Sequence, residues 1–168
     1  KRIIDREQLI KKCEIIPIEF VVRNGASGSI CSRLGIKDGL KLEKPLLEYY
    51  LKEDSLDDPI VSRDHLELFG WATKKEIEKI DRMSLKINHC LINHFKKKGI
   101  TLVDFKIEFG RLSSNKKKIV LADEISPDSC RLWDSKSKTK LDKDVFRKGL
   151  GNLIDAYEEV ASRLGIVH

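Results

Sequence analysis

At 168 residues and 19.3 kDa the chain makes one domain, or one and a fraction, that buries roughly 70% of its unfolded surface. A net charge of +6 favours anionic ligands, but the 33 basic residues are dispersed among 27 acidic ones without interleaved aromatics, which argues against a nucleic-acid-binding module. No apolar run approaches a membrane span, no signal peptide is visible, and four cysteines (Cys13, Cys31, Cys90, Cys130) without C-x-x-C spacing read as reduced, mostly buried thiols of a cytoplasmic protein.

Lys1 to Glu14 is charged and mixed, with Ile3, Ile4, Leu9 and Ile10 as apolar points, and reads as a short strand and turn. The opening at Lys1, without an initiator methionine, points to missing upstream sequence. Ile15 to Arg23 is rich in β-branched residues and predicts a strand, with Pro17 setting its start near an edge. A glycine- and serine-rich turn follows, Asn24-Gly25-Ala26-Ser27-Gly28-Ser29, then a short helix stopped by Gly35. Such an arrangement aims backbone N–H groups at a phosphate, although a tight turn with a helix cap explains the same residues and the P-loop spacing is absent.

Residues 36 to 59 read as a mixed segment with two turn-like spots and an acidic loop, Lys52 to Pro59, in which Asp57 and Asp58 suit a solvated tip. Thr73-Lys74-Lys75-Glu76 is a capping box that opens a long helix. Its stripe is Ile77, Ile80, Met83, Ile87, Leu91 and Phe95, and Gly99 ends it. His89 and His94 are five residues apart, so they do not form the i, i+4 pair of a helical metal site.

The densest chemistry lies between Thr101 and Asp134. Leu102, Asp104, Lys106 and Glu108 alternate with Val103, Phe105, Ile107 and Phe109, the period-2 pattern of a strand with one buried face. A polar turn, Gly110 to Lys118, leads to the apolar run Ile119 to Ala122 and then to Asp123-Glu124. An antiparallel hairpin returns Asp123 towards Glu108 and Lys106, and two carboxylates beside a lysine suit a magnesium-phosphate site. A solvated sheet face with cross-strand ion pairs accounts for the same alternation. Ser126 to Asp134 then packs a turn signal, Asp128, Ser129, Arg131 and Trp133 into nine positions, more than a plain connection needs. A polar loop, Ser135 to Leu141, precedes a last helix capped by Asp142-Lys143-Asp144. Its buried side is predicted to hold Val145, Phe146, Leu150, Leu153, Ile154, Tyr157, Val160, Ala161 and Leu164, while Gly149 and Gly151 mark close packing or a backbone that approaches a ligand.

The motifs IPIEFVVRNGASGS, VDFKIEFG, LADEISPDSCRLWD and DKDVFRKGLG, in this order, closely resemble the SAICAR synthetase (phosphoribosylaminoimidazole-succinocarboxamide synthase) family over essentially the whole chain. The resemblance implies an ATP-dependent ligase of purine biosynthesis. Such an enzyme joins L-aspartate to the carboxylate of the aminoimidazole ribotide CAIR through an acyl phosphate, and yields SAICAR, ADP and phosphate. It further implies Arg23, Ser29, Asp58 and Arg131 on the CAIR side, and Lys106, Glu108 and Asp123 as the catalytic set. Glu108 and Asp123 would hold magnesium on ATP, with Lys11 and Ile15 beside the adenine. Asp104, Asp128, Lys143 and Asp144 lie in the same motifs with looser roles. ATP, magnesium, CAIR and L-aspartate are the implied cofactors and partners, in a homo-oligomer.

The expected fold is α+β and ATP-grasp-like: a mostly antiparallel sheet with helices on one face, spanning residues 15–168. Residues 1–14 would lead in from a β-rich N-terminal lobe that has no counterpart here and whose lysines cover the ATP phosphates. On that expectation the chain alone lacks half of the ATP cleft and is inactive by itself. The hairpin turn Arg111 to Lys118 reads as longer than is usual in the family. A non-catalytic nucleotide- or phosphate-binding domain is the other class that fits, though it has no need of Glu108 and Asp123 together with Arg23, Ser29 and Arg131.

Overall fold

The computed structural model describes residues 2–4 and 7–166, with side chains from residue 9 onwards. The side chains of Ile3 and Ile4, named above as apolar points, lie outside the described residues. A short pair, β1 (Arg2–Ile4) and β2 (Glu7–Gln8), precedes a six-stranded sheet that is antiparallel throughout. Its strands are β3 (Cys13–Gly25), β4 (Lys41–Leu51), β5 (Ile60–Val61), β6 (Ile100–Leu112), β7 (Asn115–Ala122) and β8 (Cys130–Asp134). The order is β5-β4-β3-β6, after which β6 pairs with β7 through its second half and with β8 through its first.

Among the described residues the α-helices are α1 (Ser29–Leu34), α2 (Arg63–Leu68), α3 (Lys74–Lys96), α4 (Asp144–Arg147) and α5 (Leu153–Leu164). No helix among the described residues is long and apolar enough to cross a membrane. The capping box of α3 forms as expected: Thr73 accepts from the Glu76 N–H and Glu76 accepts from the Thr73 N–H. Ile77, Ile80 and Phe95 from its predicted stripe are buried against Ile18, Phe20, Phe105, Ile107 and Phe109, and Met83, Ile87 and Leu91 flank them. His89 and His94 are exposed.

Several expectations need correction. Residues 41–51 form a full strand. Pro45 within it sits where the β3 pairing shifts register between Arg23 and Gly25, so no ladder bond is lost. Pro17 likewise marks a register shift rather than an edge, because β3 is central, paired on both sides. The hairpin connection is two residues, Ser113-Ser114, and the polar residues 115–118 belong to β7. Strict alternation in β6 fails at Val103. Two β6 steps oppose one β8 step there, and this bulge turns Leu102 into the core with Phe105.

The last helix is two. Positive φ at Gly149 and Gly151 breaks the chain, and Asn152 caps α5 by accepting from the Ile154 N–H. A Cβ at Gly149 would meet nothing within 4 Å, so close packing does not explain it. Phe146, Leu150 and Ile154 are consequently exposed, and Val145, Ala156 and Val160 carry the burial. Of the cysteines only Cys130 is buried; Cys13 and Cys31 are intermediate and Cys90 is exposed.

Candidate active site

The sheet has two unlike faces. Alternate residues Ile16, Ile18, Phe20 and Val22 of β3, and Phe105, Ile107 and Phe109 of β6, form the core beneath α3. The opposite parity carries charge. In register across three strands lie Glu48 and Tyr50 of β4, Glu19 and Arg23 of β3, and Asp104, Lys106 and Glu108 of β6, with Lys52 immediately after β4. Asp104 and Glu108 are each 3% exposed and Arg23 is 2% exposed, so this is not a solvated face.

At one end stand two arginines. Each of the five N–H groups of Arg23 has an acceptor: Glu48 at Nε, Asp104 and the Ser27 carbonyl at Nη1, and Ser29 Oγ and Tyr50 at Nη2. Arg131 from β8 donates through Nη1 to both Asp104 oxygens, at 3.2 and 3.0 Å, and through Nε to Asp144 at 3.3 Å. Its Nη2 makes no hydrogen bond among the described residues and lies over the turn at Gly28, where a Cβ would stand 2.2 Å away. Burial pushes the Asp104 carboxyl upward while Arg131 and Arg23 pull it down. For Glu48, burial is outweighed by Arg23 and Arg33, and the carboxyl is held below its usual range. Arg131 Nη2, Ser29 and the glycine turn thus lie at one end of the face in an arrangement that suits an anion, beside Arg23, whose donors are all taken.

At the other end Lys106 contacts Glu19 at 2.5 Å and Glu108 at 3.6 Å. Burial would lower the Lys106 pKa, but Glu19, Glu108 and Asp123 together raise it, so the ammonium stays charged. Lys52 donates to both Glu108 oxygens, at 2.7 and 2.8 Å. Asp123 follows β7 directly and is exposed, with a φ of 66°. Because Glu108 pairs with Ala122, the hairpin does return Asp123 to the Lys106 neighbourhood. Among the described residues no cluster of three or more metal-ligating side chains exists. Glu108 of β6 and Asp123 just after β7 still fit magnesium held jointly with phosphate oxygens, since each Glu108 oxygen keeps a lone pair beside its bond from Lys52 and Asp123 is exposed.

The remaining candidates divide. Lys143 lies near both ends: burial first, then Arg131, Arg147 and Lys106, depress its pKa, and its ammonium bonds the Asp128 carbonyl at 2.5 Å. The Asp128 side chain instead accepts from Tyr157 of α5 at 2.5 Å. Asp58 has a φ of 45° and caps its own loop by accepting from the Glu53 N–H. Lys11 and Ile15 are exposed where β3 begins, beyond the Glu108 end of the face. A separate cavity of about 710 Å³, lined by Gly25, Gly39, Ile92, Val103 and Trp133, contains none of these residues. It is a gap at the far end of the sheet, not the site of the clustered charges.

Sequence reading missed Glu19, Glu48, Tyr50 and Lys52. The signal was present for three of them as alternation in Glu48-Tyr49-Tyr50-Leu51-Lys52, but the strand that carries it had not been recognised.

Residues 1–164 match the SAICAR synthetase family. A phosphoribosylaminoimidazole-succinocarboxamide synthase of Pelagibacter ubique (strain HTCC1062) is 61% identical over all of this chain and 65% of its own length. The chain therefore spans about two thirds of the curated relatives it matches. The crystal structure of the synthase from Ehrlichia chaffeensis superposes with a TM-score of 0.95 at 50% identity, over 99% of this chain and 70% of that one. A SAICAR synthetase solved in complex with ADP gives 0.87 at 48% identity, over 91% and 64%. With one charged sheet face, an arginine pair at one end and a carboxylate pair at the other, this chain belongs to the SAICAR synthetase family.

Proposed function

We propose that this face binds CAIR and MgATP and serves the ligation of L-aspartate to CAIR. The observation that carries the reading is the order of groups along β6. Asp104 and its arginines, Lys106, and then Glu108 with Asp123 are spread over about 13 Å on a single face. That order suits a ribotide whose phosphate sits at Arg131 and Ser29 and whose carboxylate reaches Lys106, next to the terminal phosphate of ATP. The relative solved with ADP supports nucleotide use by the family.

In this reading the residues work by positioning and charge. Arg131 and the Ser29 hydroxyl hold the substrate phosphate. Lys106, kept protonated by its acidic neighbours, offsets charge on the transferring phosphoryl oxygens. Magnesium, held by Glu108 and Asp123, would supply further charge neutralisation on the ATP phosphates. The CAIR carboxylate attacks the γ-phosphoryl group and ADP leaves. The aspartate amine then displaces phosphate from the acyl phosphate, so no nucleophilic side chain is required. The resemblance adds to this reading a β-rich lobe over the ATP phosphates, a homo-oligomer and a cytoplasmic location.

Titration of CAIR and of ATP with magnesium onto the chain, beside Arg131→Ala and Glu108→Gln, tests the assignment. CAIR affinity should fall at least tenfold in Arg131→Ala, and magnesium-dependent ATP binding should be lost in Glu108→Gln. Ligand affinities unchanged by either substitution would refute it.

A further inference from the structure

An anion site has an electrostatic reason to exclude carboxylates, yet this one is built around Asp104. Its two oxygens receive Arg23 Nη1 at 2.7 Å and Arg131 Nη1 at 3.0 and 3.2 Å, and the residue is 3% exposed. The two arginines it joins reach the same turn, Arg131 Nη2 over Gly28 and Arg23 Nη2 at the Ser29 hydroxyl. We propose that Asp104 is a positioning residue for phosphate recognition, the shared anchor that fixes Arg131 against Arg23 so that Nη2 and the Ser29 hydroxyl present one preformed cradle. This rests on the phosphate-binding reading of that end of the face.

The argument is one of opposing terms. A carboxylate this close to a bound phosphate repels it, and by charge alone removing it should tighten binding several-fold. Against this stands the mutual repulsion of two guanidiniums. Without Asp104 nothing else links Arg131 to Arg23: the other acceptors of Arg23 are Glu48, Ser27, Ser29 and Tyr50, and the other acceptor of Arg131 is Asp144. Arg131 would swing towards Asp144 and solvent, and Nη2 would leave its place over the Gly28 turn. The long, flexible side chain would then have to be ordered by the ligand itself, which weakens binding. Charge and positioning therefore predict opposite signs for the same substitution.

The test is calorimetric titration of ribose 5-phosphate onto the chain, the Arg131→Ala variant and the Asp104→Asn variant at one low ionic strength. Asp104→Asn removes one negative charge from the site. Positioning predicts that the phosphate ester binds at least tenfold more weakly to this variant, while Arg131→Ala abolishes binding. If Arg131→Ala abolishes binding but Asp104→Asn binds equally or more tightly, the positioning role is overturned and the phosphate site stands. If the unsubstituted chain does not bind ribose 5-phosphate, the phosphate site and the role resting on it both fall. Should Asp104→Asn fail to fold, Asp144→Asn, which releases only the Nε side of Arg131, is judged by the same sign.

Discussion

Gly28 is the position where backbone conformation and the proposed anion site meet. Its φ of 66° and ψ of −133° lie in a region open essentially to glycine, and a Cβ there would stand 2.2 Å from Arg131 Nη2 and 2.6 Å from Cζ. Gly28→Ala therefore carries two costs. The backbone strain is on the order of 1–3 kcal/mol. Displacing the guanidinium weakens charge-assisted bonds to Asp104 and Asp144 worth about 1–2 kcal/mol together. A total near 3 kcal/mol lowers the midpoint of thermal unfolding by roughly 10 °C in a chain of this size. Gly35→Ala is the control: its φ is also positive, at 64°, but a Cβ there meets nothing within 4 Å. It should cost about 1 kcal/mol of backbone strain and leave ribose 5-phosphate binding unchanged. Thermal unfolding and ribose 5-phosphate titration of the two variants decide the matter. If Gly28→Ala is no less stable than Gly35→Ala and binds the phosphate ester like the parent, the contact between the turn and Arg131 has been misjudged.

Two further substitutions probe the rest of the frame. Glu76 closes the capping box of α3 and accepts from Arg111 at 2.7 and 3.0 Å; Arg111 and Thr73 outweigh burial and hold its carboxyl at about 2, below the model-peptide 4.5. A depressed pKa stabilises above pH 4.5 and ceases to do so as pH falls towards 2, so Glu76→Gln should cost about 2 kcal/mol at pH 7 in urea unfolding, with the difference vanishing near pH 2; a gap independent of pH would contradict the assignment. Lys52 is the main partner of the buried Glu108, so Lys52→Met should destabilise by about 1–2 kcal/mol, and the double variant with Glu108→Gln should recover about 1 kcal/mol of the summed losses. Strict additivity in that cycle would show that the two groups do not depend on each other.

Legibility in the sequence followed the strength of local signals. The helix α3 was readable because its cap and apolar stripe agree, and β6 because Val103 to Phe109 alternate with charged residues. β4 was not, because Lys41-Leu42-Glu43-Lys44-Pro45 lacks alternation and only its second half pairs regularly with β3. With β4 unseen, Glu48, Tyr50 and Lys52 had no face to belong to. Arg23 and Arg131 were found as motif residues, but the fact that they share Asp104 is a matter of register between β3, β6 and β8, which local pattern does not encode. The break between α4 and α5 was marked by Gly149 and Gly151 and read as close packing or an approach to a ligand, whereas the positive φ of both, 152° at Gly151, ends the helix.

The charge on this face is not accounted for by stability. Arg23, Glu48, Asp104 and Glu108 are nearly inaccessible, and burying paired charges returns little beyond what apolar residues of the same size would provide. The core on the opposite face, built from Ile16, Ile18, Phe20, Phe105, Ile107 and Phe109 under α3, supplies the apolar burial that stabilises the sheet. What the paired charges do supply is fixed direction. Arg23 has no free donor, Glu108 no free lysine-facing oxygen, and Asp104 is shared. The groups left to act, Arg131 Nη2, the Ser29 hydroxyl and Asp123, stand at the edges of this lattice with their supports already satisfied. A ligand arriving there meets an arrangement whose ordering cost was met during folding, which is the condition for binding by charge in competition with water.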